Sequence, residues 1–314
     1  MAGSSTKAIY AALVGNSLIA VTKFVAATIS GSAAMFAEGI HSLVDTGNQI
    51  LLLHGLRAAR RAPSPSYPFG HGKEIYFWSF VVAIMIFALG AALSFAHGVG
   101  QVLHPEPLRN LTINYVVLGL AILFEGAALT IAVREFSRSK GSLGYLDAVR
   151  RGKDPTLFVV VFEDSAALLG LLVAMIGIYL YQVTGNPIFD GLASMMIGVI
   201  LALTAVWLAY ETKSLLIGES ADIDTVLRIR QTASDHALVK TVNELATLHM
   251  GPEFVIVTMS VDFVDGIGAA EVEGGVTDLS RKIRAIDPNL RRVFVEVERG
   301  EDHWRERMEQ PRRN

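Results

Sequence analysis

Residues 33–56 read AAMFAEGIHSLVDTGNQILLLHGL. As a helix rising ~1.5 Å per residue, this stretch is long enough to cross the ~30 Å hydrocarbon core of a bilayer. It nevertheless carries Glu38, His41, Asp45 and Asn48. A charged side chain inside a membrane costs roughly 2.5–3.5 kcal/mol on insertion scales, so the ones that are present are functional candidates by default. His41 and Asp45 stand four residues apart and Asn48 lies a turn further on, which puts them on one helix face, the face expected to turn inward.

Five further apolar runs of spanning length flank this one, at about 7–29, 76–98, 113–133, 156–181 and 188–211. Between the runs, Lys and Arg alternate sides. Arg57, Arg60, Arg61 and Lys73 follow the second run, and Arg134, Arg138, Lys140, Arg150, Arg151 and Lys153 follow the fourth, whereas the opposite loops hold only Arg109. The positive-inside rule then places both basic loops and both termini in the cytoplasm. The first run has no Arg-rich amphipathic leader before it and contains Lys23, so the reading is a retained span and, for the whole chain, a bacterial cytoplasmic membrane.

From about Glu219 the pattern changes. Asp222–Ser234 has helical spacing, Val239–His249 and Phe254–Phe263 alternate as strands around Gly251-Pro252, Ala269–Ala285 is amphipathic, and Arg292–Val297 is a last strand. The expected fold class is an all-α six-helix transmembrane domain (1–213) followed by a small cytosolic α+β domain of order α-β-β-α-β (214–300), with 301–314 a frayed charged tail.

Composition agrees with this division. Hydrophobic residues make up 52% of the 314 and charged ones 18%, with mean hydropathy +0.43. Residues 1–218 carry 14 Lys+Arg and 12 Asp+Glu, against 13 and 18 in the remaining 96. A net charge of −3 provides no basic surface for a polyanion, so nucleic acid is not an expected partner. The absence of cysteine removes disulfides, thiolate metal sites and thiol nucleophiles, leaving nitrogen and oxygen ligands. No His-Glu-x-x-His or comparable zinc-and-base arrangement occurs, so an enzyme is not expected and no cofactor is required.

The fifth run adds Glu163 and Asp164, adjacent acids near its middle. An imidazole and two or three carboxylates converging between two helices suit a divalent first-row cation: Zn²⁺, Mn²⁺, Fe²⁺ or Co²⁺. Protons compete for the same lone pairs, which is the physical basis of metal/proton antiport. Neighbouring helical residues point ~100° apart, so the two acids cannot face one ion equally; Asp164 is taken as the ligand and Glu163 as the second. The structural alternative is a buried hydrogen-bonded set that fixes helix packing. Asn16, mid-way along the first run, either supports the site from behind or holds helices together.

These residues resemble the cation diffusion facilitators. The resemblance rests on Ser30-Gly-Ser-Ala-Ala-Met-Phe-Ala-Glu-Gly-Ile-His-Ser-Leu-Val-Asp45, on Tyr67-Pro-Phe-Gly-His-Gly-Lys-Glu74 and on the six-helix plus α-β-β-α-β layout; the Phe-Glu-Asp-Ser-Ala-Ala run resembles the mitochondrial-type zinc subgroup. It implies a homodimer that exchanges a divalent metal for protons, with His41, Asp45 and Asp164 as ligands and Zn²⁺ as the leading cargo, Mn²⁺ or Fe²⁺ being the others. The family commonly places a second ligand four residues before Asp164, where this chain has Val160, so Glu163, Asn16 or water would complete the set. His71 matches a loop position that sometimes holds an extra ion; a turn role between Gly70 and Gly72 serves equally. The family's cytosolic zinc pair is not expected, because the nearest positions hold Glu271 or Glu273 and Glu296, and the histidines there are His236, His249 and His303. The rival from another class is a non-transporting membrane sensor or scaffold acting through the cytosolic domain.

Overall fold

The computed structural model describes residues 2–139, 144–145 and 155–309. Of the basic residues expected after the fourth run, Lys140, Arg150, Arg151 and Lys153 lie outside these, as does the end of the chain from Gln310. The chain divides into two compact units: Met1–Ala58 with Glu74–Lys213, and Ala59–Lys73 with Ser214–Asn314.

The first unit is helical: α1 (Ala2–Ser30), α2 (Ala33–Ala59), α3 (Glu74–Met85), a π-helical turn (Ile86–Ala91), α4 (Ala92–Leu103), α5 (Leu111–Ser139), α6 (Pro155–Thr184) and α7 (Ile188–Ile217). Four segments are long and apolar enough to cross a membrane: Glu74–Leu103, Leu111–Arg138, Phe158–Thr184 and Ile188–Ile217. They present large apolar side chains outward, Leu123, Ile131 and Leu203 being 71%, 68% and 68% exposed, which water would not tolerate over so wide a surface but lipid does. The 27-residue α2 has the length, but its polar side chains dilute its hydropathy. Of α1, the apolar stretch described is Asn16–Ser30. Among the described residues four segments therefore have the length and apolarity of a membrane span, against the six of the sequence expectation.

The helices meet where side chains are small. Gly98 of α4 lies against the backbone of Gly191 and Met195, and Gly198 against Ala91 and Phe95, so α4 and α7 approach at backbone distance. Ser194 Oγ donates to the Ser94 carbonyl across the same seam (2.8 Å). The N-terminus of α2 is closed from a distance. Asp190, at the start of α7, accepts from Ser32 Oγ (2.5 Å), from the Ala33 amide (2.5 Å) and from the Ala34 amide (3.4 Å). Since α2 has no acid in its own first turn, Asp190 supplies the negative charge its dipole favours.

The second unit contains α8 (Ile223–Ser234), β1 (Val239–Gly251), β2 (Phe254–Phe263), α9 (Ala269–Arg284), β3 (Leu290–Val297) and α10 (Gly300–Glu309). Asp222 caps α8 by accepting from the Thr225 amide (3.0 Å). The sheet order is β1-β2-β3, with β1 and β2 antiparallel and β2 and β3 parallel. Val255, Val257, Met259, Val261 and Phe263 alternate onto one face of the central strand and pack with Ile229 and Ala233 of α8 and Leu279 and Ile283 of α9. Part of the expected tail is ordered: α10 is a helix because His303 pairs with Glu298 (2.8 Å), Arg307 with Glu244 (2.7 Å), and Arg305 with Asp302 one turn back (3.3 Å). The loop 59–73 also belongs to this unit, Phe69 meeting Phe294 edge-on with ring centroids 6.4 Å apart.

Candidate metal centre

The helical period of α2 carries a row of polar groups to one side: Glu38, His41, Ser42, Asp45 and Asn48 are all buried. His41 Nδ1 and Asp45 Oδ1 stand 3.3 Å apart without the alignment of a hydrogen bond. Both of those atoms, and His41 Nε2, lack a hydrogen-bond partner among the described residues. Leaving a buried donor or acceptor unpaired costs about 1–3 kcal/mol each, so three at one place need a reason other than packing.

On the facing helix α6, Glu163 is buried and accepts from Asn48 Nδ2 at 2.7 Å. Its carboxyl interacts directly with that of Asp45. Two carboxylates side by side repel unless a proton or a cation lies between them. Asp164, a helical step of ~100° further round, is half-buried and feels the charges of Glu163 and of Glu125 on α5. The acid turned toward α2 is therefore Glu163, with Asp164 beside it.

A second polar group lies next to this one. Lys23 of α1 is wholly buried, paired to Glu38 Oε2 (3.0 Å) and donating to Ser42 Oγ (2.7 Å). The other oxygen, Glu38 Oε1, has no hydrogen bond and lies where a Cβ on Gly170 of α6 would come within 2.5 Å. Lys23 acts electrostatically on Glu38, Asp45 and Glu125, while Glu163 and Asp164 feel the negative charge of Glu125, so among the described residues of this cluster five acids stand against one ammonium and one imidazole. That excess of negative charge in a low-dielectric interior attracts cations.

The remaining expected positions lie elsewhere. Asn16 is half-buried on α1, two turns before Lys23. His71 lies in the loop 59–73 of the other unit, its ring against Tyr67 at 4.4 Å. In the small domain His236 pairs with Asp278 (3.3 Å), His249 contacts the Gly251 carbonyl (3.3 Å) and His303 engages Glu298, while Glu271 accepts from the Gly268 amide (3.0 Å) to close α9. Among the described residues no three His, Asp or Glu side chains converge tightly enough to enclose an ion. His41, Asp45 and Glu163 share one region without forming a closed shell.

Residues 9–217 match the cation efflux transmembrane domain family, two thirds of the chain and the whole of the helical unit but its first residues. The chain belongs to the cation efflux family, the cation diffusion facilitators. Its relatives include the mitochondrial proton-coupled zinc antiporter of Xenopus laevis, 36% identical over 260 residues that cover 82% of this chain and 46% of that protein. The human counterpart is 35% identical over 259 residues, with the same coverage. A cation-efflux pump of Shewanella oneidensis is 27% identical over 242 residues, 76% of each chain. The chain spans about half the length of the mitochondrial antiporters it matches. The family is one of integral membrane transporters rather than enzymes, and within it this chain groups with the mitochondrial-type zinc transporters.

Proposed function

We propose that this chain is a secondary active transporter that exports a divalent cation from the cytoplasm in exchange for protons, with Zn²⁺ as its cargo and Mn²⁺ or Fe²⁺ as the nearest alternatives. The observation that carries the reading is the set of buried, unpaired ligand atoms on His41 and Asp45 opposite Glu163. His41 and Asp45 hold the ion from α2, and Glu163 or Asp164 closes it from α6. The names of the relatives, zinc antiporter and cation-efflux pump, favour the same cargo and direction.

The chemistry follows from shared lone pairs. With protons on the carboxyls, Asp45 and Glu163 sit side by side without repulsion, and Asn48 donates to Glu163 to hold its orientation. An arriving cation satisfies both carboxylates and the imidazole at once and displaces the protons. The emptied site is anionic again, and protons returning down their gradient neutralise it for the next cycle. Lys23 stays paired to Glu38 throughout and keeps that acid out of the ligand set.

In this reading α1, α2, the α3–α4 pair, α5, α6 and α7 form the six spans of a transmembrane domain 1–213. Residues 214–300 form a cytosolic dimerisation and regulatory domain. The protein is a homodimer, both termini face the cytoplasm, and the membrane is a bacterial cytoplasmic one; several similar proteins are mitochondrial by name.

The test is metal flux into proteoliposomes with an imposed pH gradient, presenting Zn²⁺, Mn²⁺, Fe²⁺ and Cd²⁺ in turn. Wild type is run beside His41→Ala, Asp45→Ala, Glu163→Gln and Asp164→Ala. One metal should move, faster with the gradient, and the substitutions in α2 should stop it. Folded wild-type protein that moves none of the four would make these residues structural or sensory, and the scaffold reading would replace this one.

A further inference from the structure

The helix α10 is held to the sheet of the small domain by charge rather than by apolar burial. Its large apolar side chains, Trp304 and Met308, are 50% and 83% exposed, and among its described side chains His303 alone is buried. A free helix of 10 residues is too short to persist in water, so α10 lasts only while its polar contacts hold it down.

Those contacts converge on one imidazole. His303 Nδ1 lies 2.8 Å from Glu298 Oε2, just beyond β3, and Nε2 lies 3.7 Å from Glu244 Oε2 on β1. Glu298 is fixed from the sheet: Ser260 Oγ on β2 donates to the same oxygen (3.0 Å), and Asn243 Nδ2 donates to the Ser260 hydroxyl and to the Glu298 carbonyl (both 3.1 Å). Glu244 Oε1 accepts from Arg307 (2.7 Å). The charged group that β2 brings to α10 is Asp262, which accepts from the Gly300 amide (3.3 Å) and is met by Lys240 (3.7 Å). On α10 itself Asp302 and Arg305, both exposed, pair with each other.

A neutral imidazole has one N–H and can donate to one carboxylate only, leaving its other nitrogen to present a lone pair to the second. Nε2 has no hydrogen-bond partner among the described residues. With a neutral ring, Glu244 and Glu298 share Arg307 as their one cation. With an imidazolium the charges balance, and each ring nitrogen directs an N–H at an anion.

We propose that His303 is a proton-operated latch that fastens α10 to the sheet when it is protonated and lets the helix go as the pH rises. The docked ring shares its second proton with two carboxylates and the released ring with none, so docking is firmest on the acid side and weakens through the range in which imidazoles titrate, about pH 5 to 8. Release uncovers Glu244 and Glu298 and unfolds the chain from Gly300 onward. The latch lies wholly within the second unit and does not depend on the transport reading.

Hydrogen exchange of the full-length protein in detergent, read by peptide mass spectrometry at about pH 6 and about pH 8 with EDTA present, tests this. Protection of residues 300–309, corrected for the intrinsic rate at each pH, should fall about tenfold from the lower pH to the higher, the weight of one hydrogen bond to a charged group. Protection of β2 should not change. His303→Gln keeps a donor without a titrating ring and should show the same low protection of α10 at both pH values. Glu244→Gln leaves the Glu298 contact in place and should keep α10 protected while shrinking the pH effect. Equal protection of wild-type α10 at both pH values overturns the latch, as does a pH effect that survives His303→Gln or is undiminished in Glu244→Gln. Wild type that carries metal without any pH effect on α10 loses the latch and keeps the transport reading; a pH effect in protein that carries none does the reverse.

Discussion

Replacing Lys23 by methionine should be among the most damaging single changes in the membrane unit, although Lys23 is not a ligand. Lys23 and Glu38 are both 0% exposed, their nitrogen and oxygen are 3.0 Å apart, and Ser42 Oγ accepts a second bond from the same ammonium. Removing one partner of such a pair leaves the other charge buried, at a cost of about 3–5 kcal/mol. Glu38 has no substitute donor, because its other oxygen is already without one. Lys23→Met should therefore lower unfolding stability by that amount, measured from the tryptophan fluorescence change in SDS titrations of the protein in mixed micelles. The double variant Lys23→Met/Glu38→Gln should recover more than half of the loss, since no charge is then left unpaired. A cost below about 1 kcal/mol, the usual value of a solvated ion pair, would show that water reaches Lys23 and would refute the account of a dry, anionic interior. A double variant no better than the single would refute it equally.

Three further outcomes follow from the same geometry. Glu163→Gln should reduce metal flux more than Asp164→Asn does, since Glu163 faces Asp45 and Asn48; equal effects in proteoliposomes would count against the assignment. Asp190→Ala removes a carboxylate that accepts three hydrogen bonds at the start of α2 and should cost about 1.5–3 kcal/mol in the same SDS titration. In the small domain, Lys282 (2.8 Å) and Arg281 beside Asp278 hold its carboxyl below the usual carboxylate range. A folded-state pKa below the unfolded one means that the stabilisation is whole above about pH 4 and is lost as the pH falls through the folded value. The difference in melting temperature between wild type and Asp278→Asn should accordingly be present at neutral pH and narrow below about pH 4; a difference that grew on acidification would contradict the pairing.

Much of this architecture is legible in the one-dimensional pattern, because length and hydropathy are local. The runs at 113–133 and 188–211 lie within α5 and α7, and the alternation from Val239 onward marks the first strand. The helix at Gly300–Glu309 is not legible, since alternating charge reads as a solvated tail until β1 and the residue after β3 supply Glu244 and Glu298 as partners. The row His41, Asp45, Asn48 could be placed on one face because its spacing is internal to one helix. The choice between Glu163 and Asp164 could not, because it depends on how α6 is rotated about its axis, and no spacing within α6 encodes that rotation.

The contacts that set such rotations are the ones that composition hides. Lys23 reads as a snorkelling side chain or as the partner of some acid; which acid depends on α1 packing beside α2, where Phe24 fills the space over Gly39 and brings the ammonium to Glu38. Asp190 reads as one more intramembrane carboxylate, for a proton path or for hydrogen bonds between helices, and the structure gives it the second. Its role as the cap of a helix that begins 157 residues earlier has one trace in the sequence, namely that the first turn of α2 contains no acid of its own. A helix N-terminus that carries a buried polar row and lacks a local anion must find one elsewhere, and Asp190 at the start of α7 meets that need. Glu38, paired with Lys23, and Asp190, which accepts from the Ser32 hydroxyl and two amides, are thereby committed to holding α2 in place. Asp45 and Glu163, which have each other and one amide, remain with the surplus negative charge. Lys23 ties α1 to α2 and Asp190 ties α7 to α2, so neither is the partner of the Asp45–Glu163 pair between α2 and α6, and under the proposed function a cation is the group that neutralises both of those carboxylates at once.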